Sequence, residues 1–356
     1  MKALVLSGGS GTRLRPFTYA MPKQLIPIAN KPVLEYAIEG IRDLGVNEIY
    51  IIVGGWEDEI SAAIGDGSRF GVSISYIRQD RPRGLAHAVQ IARPFLRDDD
   101  FVMYLGDNML PEGVTEIAAE FRERRPGAEL VLHKVADPRA YGVAELNTDG
   151  SVRRLVEKPA WPRSDLAIVG VYFFTAAIHD AVDAIVPSAR GELEITDAIQ
   201  WLLTRGTEVI AREYSGFWTD VGHVDDVLTC NRRLLGNLDR AIGGLADSAS
   251  DIRGHVVIEP GARVLRSRID GPAIIGTGTV VEDSRIGPGT SIGRDCLLRG
   301  THLSDSVVLE GARICEAGSL HGSLVGRCAT VGAREQDESS HRLVVGDHAR
   351  VEIYAA

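Results

Sequence analysis

Residues 252–292 read IRGHVVIEPGARVLRSRIDGPAIIGTGTVVEDSRIGPGTSI, and the spacing of their aliphatic side chains decides the architecture of the last third of the chain. Ile252, Ile258, Val264, Ile269, Ile275, Val281, Ile286 and Ile292 follow one another at intervals of five or six, and the series continues through Leu298, Leu303, Leu309, Ile314, Leu320, Val325 and Val331. Small residues and turn formers fill the intervals, as in Glu259-Pro260-Gly261-Ala262 and Gly287-Pro288-Gly289-Thr290. A helix repeats about every 3.6 residues and a half-buried strand every two. A period near six is that of a hexapeptide β-helix, in which about three units make one coil and each inward aliphatic stacks on its counterpart in the next coil. Corner turns also account for the glycine content, 39 of 356 residues, or about 11% against a usual ~7%.

Working outward, the pattern loosens after Val331. Gly332–His341 reads as a polar loop and Arg342–Ile353 as a last apolar coil. Upstream, Asp239–Ser250 is rich in Gly, Ala, Ser and Asp and reads as a linker, which divides the chain into residues 1–238, a linker at 239–251 and a β-helix domain at 252–356.

Residues 1–238 have a different texture. β-rich runs (Ala3–Ser7, Glu48–Val53, Val72–Ile77, Phe101–Leu105, Leu130–Val135, Ile168–Phe174) are separated by helical patterns. Pro32–Leu44 starts on proline, puts Leu34, Ala37, Ile38, Ile41 and Leu44 on one face and stops at Gly45; Val114–Arg125 and Ile195–Arg205 are similar. Alternating strand and helix predicts an α/β domain, a mostly parallel sheet with helices on both faces. In such sheets ligands sit beyond the carboxyl ends of the strands, so residues just after strands are the site candidates.

Composition narrows the function. Hydrophobic residues make up 44% and charged residues 25%, which is ordinary globular usage. The balance of 39 basic against 49 acidic residues, a net charge of −10, argues against a general nucleic-acid binder. No apolar run reaches the ~18 residues that cross a bilayer, and the first apolar stretch is too short for a signal peptide. Cys230, Cys296, Cys315 and Cys328 lack CxxC spacing and read as reduced thiols of a cytoplasmic protein. Lysine occurs only at Lys2, Lys23, Lys31, Lys134 and Lys158, the other 34 basic residues being arginine. A retained lysine in such a chain suggests a place where a compact ammonium matters.

The turn after the first strand is Ser7-Gly8-Gly9-Ser10-Gly11-Thr12-Arg13-Leu14. Consecutive small residues let backbone N–H groups approach a phosphate. The turn is neither GxxxxGK[ST] nor GxGxxG, so it is not a P-loop or a dinucleotide fingerprint. It carries Arg13, and Lys23 follows in Met21-Pro22-Lys23-Gln24-Leu25 among apolar neighbours; two cations flanking a glycine turn suit a triphosphate. Asp107 follows the strand Phe101–Leu105 and Asp220 follows Gly216-Phe217-Trp218, so each could sit at a strand's carboxyl end, beside the other despite the 113 positions that separate them.

These motifs, with Gly84-Leu85-Ala86-His87-Ala88, Leu105-Gly106-Asp107-Asn108, Tyr141-Gly142-Val143, Val156-Glu157-Lys158-Pro159, Gly191-Glu192-Leu193-Glu194-Ile195-Thr196-Asp197 and Trp218-Thr219-Asp220-Val221-Gly222, occur in order from residue 8 to residue 222. The chain thereby resembles the sugar-1-phosphate nucleotidyltransferases, within them the long thymidylyltransferase forms that carry a C-terminal left-handed β-helix. The resemblance implies a Rossmann-like catalytic domain making dTDP-glucose and pyrophosphate from dTTP and α-D-glucose 1-phosphate, with Mg2+ as cofactor, for deoxysugar pathways such as those of antibiotics. It implies that Gly8, Gly9, Ser10, Gly11, Thr12, Arg13, Gln24, Gln79, Gly84 and Asp107 bind the nucleotide, with Gln79 and the Gly84 backbone reading the pyrimidine. Tyr141, Gly142, Glu157, Lys158, Gly170, Tyr172 and Arg190 would bind the sugar phosphate. Arg13, Lys23, Asp107 and Asp220 would be catalytic, the two aspartates as metal ligands. The β-helix would serve assembly, giving a homo-oligomer with no nucleic-acid or membrane partner.

Three alternatives remain at this level. One methyl separates thymine from uracil and is worth only ~1–3 kcal/mol in an apolar pocket, so a UTP-using enzyme or one taking another sugar phosphate fits the same motifs. A second alternative makes the β-helix an acyltransferase, although His302, His321, His341 and His348 are scattered. A non-enzymatic regulatory relative would be expected to lack cations or carboxylates that are present here.

Overall fold

A computed structural model describes residues 1–9 and 11–332. The expected loop after Gly332 and the coil at Arg342–Ile353 lie outside the described residues, as does Ser10. The described chain forms two compact units, one of residues 1–9 and 33–220, the other of Gly11–Pro32 with residues 221–332.

The first unit is built on a nine-stranded sheet. Lys2–Leu6 lies at its centre, paired in parallel with Glu48–Val53 on one side and Phe101–Leu105 on the other; Ser73–Arg78 adds in parallel beyond Glu48–Val53. Lys2–Leu6, Glu48–Val53 and Phe101–Leu105 are nearly uniformly apolar, as a sheet covered on both faces requires. Leu166–Phe174 then pairs antiparallel with Phe101–Leu105, and Ala128–Lys134 and Gly142–Leu146 pair antiparallel with it in turn. The helices Val33–Asp43, Thr115–Arg124 and Ile195–Thr204 match their sequence patterns to within two residues. The packed core includes Leu4, Val89, Phe101, Met103, Phe174, Ile178 and Ile199, all fully buried.

The carboxyl edge of the parallel strands is held in register past the strands themselves. Ser7 N–H donates to Ile52 C=O at 2.9 Å, Gln79 N–H to Val53 C=O at 2.8 Å and Gly106 N–H to Leu6 C=O at 2.9 Å. The residues that follow, Gly8 and Asp107, and Gln79 itself therefore leave the sheet along one edge.

The second unit is a parallel β-helix bearing one α-helix, Val224–Leu235. Successive coils are in parallel register, for example Val264 on Val281 on Leu298, and Ile269 on Ile286 on Leu303. The inward aliphatics form one continuous column core. At one point the stacked residue differs from expectation: Ile292 pairs with Val308, not Leu309, and Val308 pairs with Val325. This coil face is one residue shorter, and the deficit is recovered where Arg313–His321 shifts register against Leu297–Ser304, between Arg299 and Thr301. The expected linker at 239–251 is also corrected. Ala241–Ile242, Leu245–Ala246 and Asp251–Arg253 are strands paired in parallel with Val256–Ile258, Arg263–Leu265 and Arg268–Asp270, so this stretch is the first coil. Its strands are too short and too exposed to show a hydrophobic period.

A column of hydroxyls ties coil to coil. Ser267, Ser284 and Thr301 each donate a backbone N–H to the side-chain oxygen seventeen residues earlier, on Ser250, Ser267 and Ser284, at 3.1, 3.0 and 3.2 Å. Asn231, fully buried in the α-helix, is a second tie. Its Oδ1 accepts from Ala29 N–H (2.9 Å) and Ser291 Oγ (2.8 Å), and its Nδ2 donates to Gly289 C=O (2.9 Å). Asn30 Nδ2 donates to Ile292 C=O at 2.8 Å. The turn at Ala29 and Asn30, both with positive φ, is thus fastened to the β-helix.

Candidate active site

In the first unit the sequence candidates are joined by a run of hydrogen bonds. Asn108, 3% exposed, donates from Nδ2 to Asp107 Oδ1 at 3.1 Å. Its own Oδ1 accepts from Trp218 Nε1 at 2.7 Å and Gly170 N–H at 3.4 Å. Asn108–Met109 pairs antiparallel with Thr219–Asp220, and Asp220 falls opposite Asn108. Asp107, the residue before this two-stranded ribbon, and Asp220 within it are therefore one backbone step out of register, though 113 positions apart in the chain. A side chain at Gly170 would put its Cβ 2.7 Å from Asn108 Nδ2, so the backbone approach there requires glycine.

Tyr141 carries the run onward. Its hydroxyl donates to Asp220 Oδ1 at 3.1 Å, its ring meets Trp218 edge-on at 5.2 Å, and its C=O accepts from Lys158 N–H at 3.0 Å. Lys158 sits at φ 39, a left-handed conformation uncommon for lysine. Its Nζ lies 3.6 Å from Glu157 Oε1. Glu157 pairs in register with Gly142 and accepts from Thr196 Oγ1 at 2.6 Å. A Cβ on Gly142 would come within 2.9 Å of Thr196 Oγ1. Arg190 Nη1 reaches Glu157 at 3.4 Å and Glu194 at 3.2 Å, and Nη2 reaches Glu192 at 3.3 Å. Burial, partly offset by the bond from Ser188, raises the Glu194 carboxyl; burial and then Glu157 raise that of Asp197. The carboxylates here outnumber the cations, Lys158 and Arg190, with which they pair, and this suits a polyol donating hydroxyl hydrogens.

Gln79 and Gly84 form a separate group. Gly84 has φ 98, and a Cβ there would lie 2.2 Å from Leu193 C=O. Leu193 N–H donates to Arg83 C=O at 2.8 Å and Ala86 N–H donates to Leu193 C=O at 3.0 Å, clamping the entry to the helix Leu85–Leu96. Tyr172 is 4% exposed and stacked on Phe174 at 5.9 Å, and burial first, then Glu157, raise its phenol far above the ordinary value.

The glycine turn and both proposed phosphate cations have a different setting. Gly8 and Gly9 are exposed at the carboxyl edge of the first strand. Gly11, Thr12, Arg13, Lys23 and Gln24 belong to the second unit. Gly11 C=O accepts from Thr18 Oγ1 at 2.8 Å and Leu14 N–H at 2.9 Å, at a φ of 57. Thr12 and Arg13 open a short turn and Lys23 and Gln24 another, with Gln24 1% exposed. Arg13 Nη1 donates to His223 Nε2 at 3.2 Å, and a Cβ on Gly222 would approach Arg13 Nη2 to 2.9 Å. Asp226 Oδ2 accepts from the N–H groups of Gly222 and His223, fixing the strip against which the guanidinium lies.

Asn108, Trp218, Thr196, His87 and His223 were not assigned roles from sequence. Each lies inside or beside a quoted motif, which was the available signal.

The fold and the site have counterparts among known proteins. Residues 2–237 match the nucleotidyl transferase family. The chain belongs to that family. Over 99% of its length it is 52% identical to the glucose-1-phosphate thymidylyltransferase of Streptomyces griseus and 51% identical to that of Streptomyces antibioticus, covering 99% of each. A crystal structure described as a putative glucose-1-phosphate thymidylyltransferase from Bacillus anthracis in complex with sucrose superposes with a TM-score of 0.63 at 33% identity, over 68% of this chain and 97% of that one. A UDP-glucose pyrophosphorylase complexed with UDP-glucose gives 0.59 at 26%, over 66% of this nucleotidyltransferase and 98% of the other chain.

Proposed function

We propose that this nucleotidyltransferase makes dTDP-glucose and pyrophosphate from dTTP and α-D-glucose 1-phosphate. The observation that carries the reaction class is the unbroken run from Asp107 through Asn108, Asp220 and Tyr141 to Lys158 and Glu157. It links a pair of carboxylates suited to a hard cation with a polyol-and-anion site. Thymidine and glucose as substrates rest on the names of the Streptomyces relatives.

A non-bridging oxygen of the sugar phosphate attacks the α-phosphorus of the nucleotide. The new P–O bond forms as the bond to the α,β-bridging oxygen breaks, and pyrophosphate leaves with that electron pair. The attacking oxygen is ionised at neutral pH, so no general base is required. The barrier is the approach of two anions, and catalysis is positioning and charge neutralisation. Arg13 and Lys23 hold the triphosphate and the departing pyrophosphate, and Gly8, Gly9, Ser10, Gly11, Thr12 and Gln24 also bind the nucleotide. Gln79 and the Gly84 backbone receive the pyrimidine. Lys158 and Arg190 hold the sugar phosphate, Glu157 accepts from sugar hydroxyls, and Gly142, Gly170, Tyr141 and Tyr172 shape that pocket. Two aspartates are a donor set that fits Mg2+, which takes one or two carboxylates plus substrate oxygens. Bound to Asp107 and Asp220, it would offset charge on the phosphates.

Catalysis is proposed to reside in residues 1–238. A homo-oligomer is supported by the first β-helix coil, a sheet edge on which Ile242 and Leu245 are exposed. A cytoplasmic location is supported by the four free cysteines. Among the described residues no helix is long and apolar enough to cross a membrane. The decisive experiment measures pyrophosphate release from four nucleoside triphosphates and several hexose 1-phosphates. dTTP with α-D-glucose 1-phosphate is expected to be the best pair. Release favouring UTP would reassign the base, and no release from any pair would refute the reading.

A further inference from the structure

His87, which the reaction scheme leaves unused, touches the residue proposed to read the base. Gln79 leaves the carboxyl end of Ser73–Arg78 with its backbone bonded to Val53, and His87 is the third residue of the helix Leu85–Leu96. Gln79 Nε2 and His87 Nδ1 are 2.9 Å apart. The clamp of Gly84 on Leu193 fixes the start of that helix, so the ring is held on a rigid element.

A side-chain amide offers an acceptor and a donor side by side, and it can face a pyrimidine in two senses related by a flip. With Oε1 toward N3 and an N–H toward the neighbouring ring carbonyl, it complements thymine or uracil, whose N3 carries hydrogen. Flipped, it complements cytosine, whose N3 accepts and whose exocyclic amine donates. A free glutamine therefore reads both. We propose that His87 locks Gln79 in the first sense, so that the site accepts a pyrimidine with a protonated N3 between two carbonyls and rejects cytosine. One amide hydrogen goes to Nδ1, and the other, with Oε1, remains for the base. This inference rests on Gln79 facing the pyrimidine.

The lock needs the neutral imidazole with its proton on Nε2. Burial first, and then the Arg83 guanidinium, hold His87 below its ordinary value, while Asp80 opposes them. Both charged groups come from the loop before the helix and pair with each other at 2.8 Å. His87 is thus a positioning residue, acting through Gln79.

The test is steady-state kinetics with dTTP and dCTP on Gln79→Ala, His87→Ala, His87→Asp and the Gln79→Ala/His87→Ala double variant, with thermal melts as folding controls. His87→Ala is expected to lower the dTTP-over-dCTP preference about tenfold, the effect size of one lost buried hydrogen bond, with the change in KM rather than kcat. His87→Asp, which presents only acceptors where Nδ1 did, is expected to restore it. Adding His87→Ala to Gln79→Ala should change nothing further. Should His87→Ala fail to fold, His87→Lys presents only donors, turns the amide round and is expected to move preference toward dCTP. If Gln79→Ala lowers the preference but no His87 variant moves it, the lock is refuted and the base reader stands. If Gln79→Ala leaves base preference intact, the reading of Gln79 is refuted and the lock with it.

Discussion

Replacing Glu129 by glutamine should make the protein more stable as pH rises. Glu129 lies on Ala128–Lys134 opposite Phe173, whose ring packs against Phe121. It is 0% exposed, and neither carboxyl oxygen has a hydrogen-bond partner among the described residues. The nearest guanidiniums are spoken for: Arg212 is bonded to Glu120, and Arg124 to Glu120 and Glu208. Burial, reinforced by Glu120, pushes the Glu129 carboxyl from 4.5 up to about 7. Below pH 4.5 both folded and unfolded chains keep the proton and there is no penalty. Between 4.5 and 7 the unfolded chain ionises and the folded one does not, so stability falls as pH rises. Above 7 the penalty levels off at about 3 kcal/mol, reckoned at about 1.4 kcal/mol for each pH unit that separates the folded from the unfolded carboxyl. Glutamine cannot ionise. Its own burial cost is independent of pH, so the stability difference between variant and parent should grow by about 2.5 kcal/mol between pH 5 and pH 8. For a unit of this size that is roughly 5–10 °C in melting temperature. Melts of both proteins at pH 5, 6, 7 and 8 measure it, and other titrating groups cancel in the difference. An offset that stays constant across this range would mean that Glu129 ionises at an ordinary pH and would refute the reasoning.

Asp107→Asn should lower pyrophosphate release at least 100-fold, the loss typical of removing a charge-stabilising group, with the circular dichroism spectrum unchanged; near-normal turnover would remove Asp107 from the metal site. Gly84→Ala must accommodate a Cβ 2.2 Å from Leu193 C=O at a φ of 98 and is expected to destabilise by about 2 kcal/mol or more and raise the KM for nucleotide, read from melts and kinetics. Asn231→Ala strands Ala29 N–H, Ser291 Oγ and Gly289 C=O, and should cost about 2–4 kcal/mol by denaturant titration, several unpaired polar groups being left behind; a loss under about 0.5 kcal/mol, the low end for a single hydrogen bond, would show that water replaces the side chain.

What the sequence revealed depended on how local the signal was. The β-helix was legible because each inward aliphatic sees the same environment in every coil, so one constraint is written fifteen times between Ile252 and Val331. The helices at 33–43, 115–124 and 195–204 were legible from one apolar face each. The strands at 241–246 were not, since Ala241, Ile242, Leu245 and Ala246 are all exposed and carry no alternation. Val308 was missed because Leu309 beside it is equally apolar and also buried. In the site, Asp107 and Asp220 were legible as residues after strands, but Asn108 as the group between them was not: its three bonds reach Asp107, Gly170 and Trp218, and two of those lie more than sixty positions away.

The seventeen-residue ties between Ser250, Ser267, Ser284 and Thr301 bear on how such a domain can change in length. An insertion or deletion of one residue would carry every later hydroxyl past its amide and swing the following aliphatics out of the interior, unless it is absorbed before the next rung. The short face at Val308 and the register shift before Thr301 are such a compensated pair. Lengthening or trimming this array by evolution or by engineering is therefore quantised: whole turns can be added or removed freely, and fractions of one only where a bulge returns the missing step.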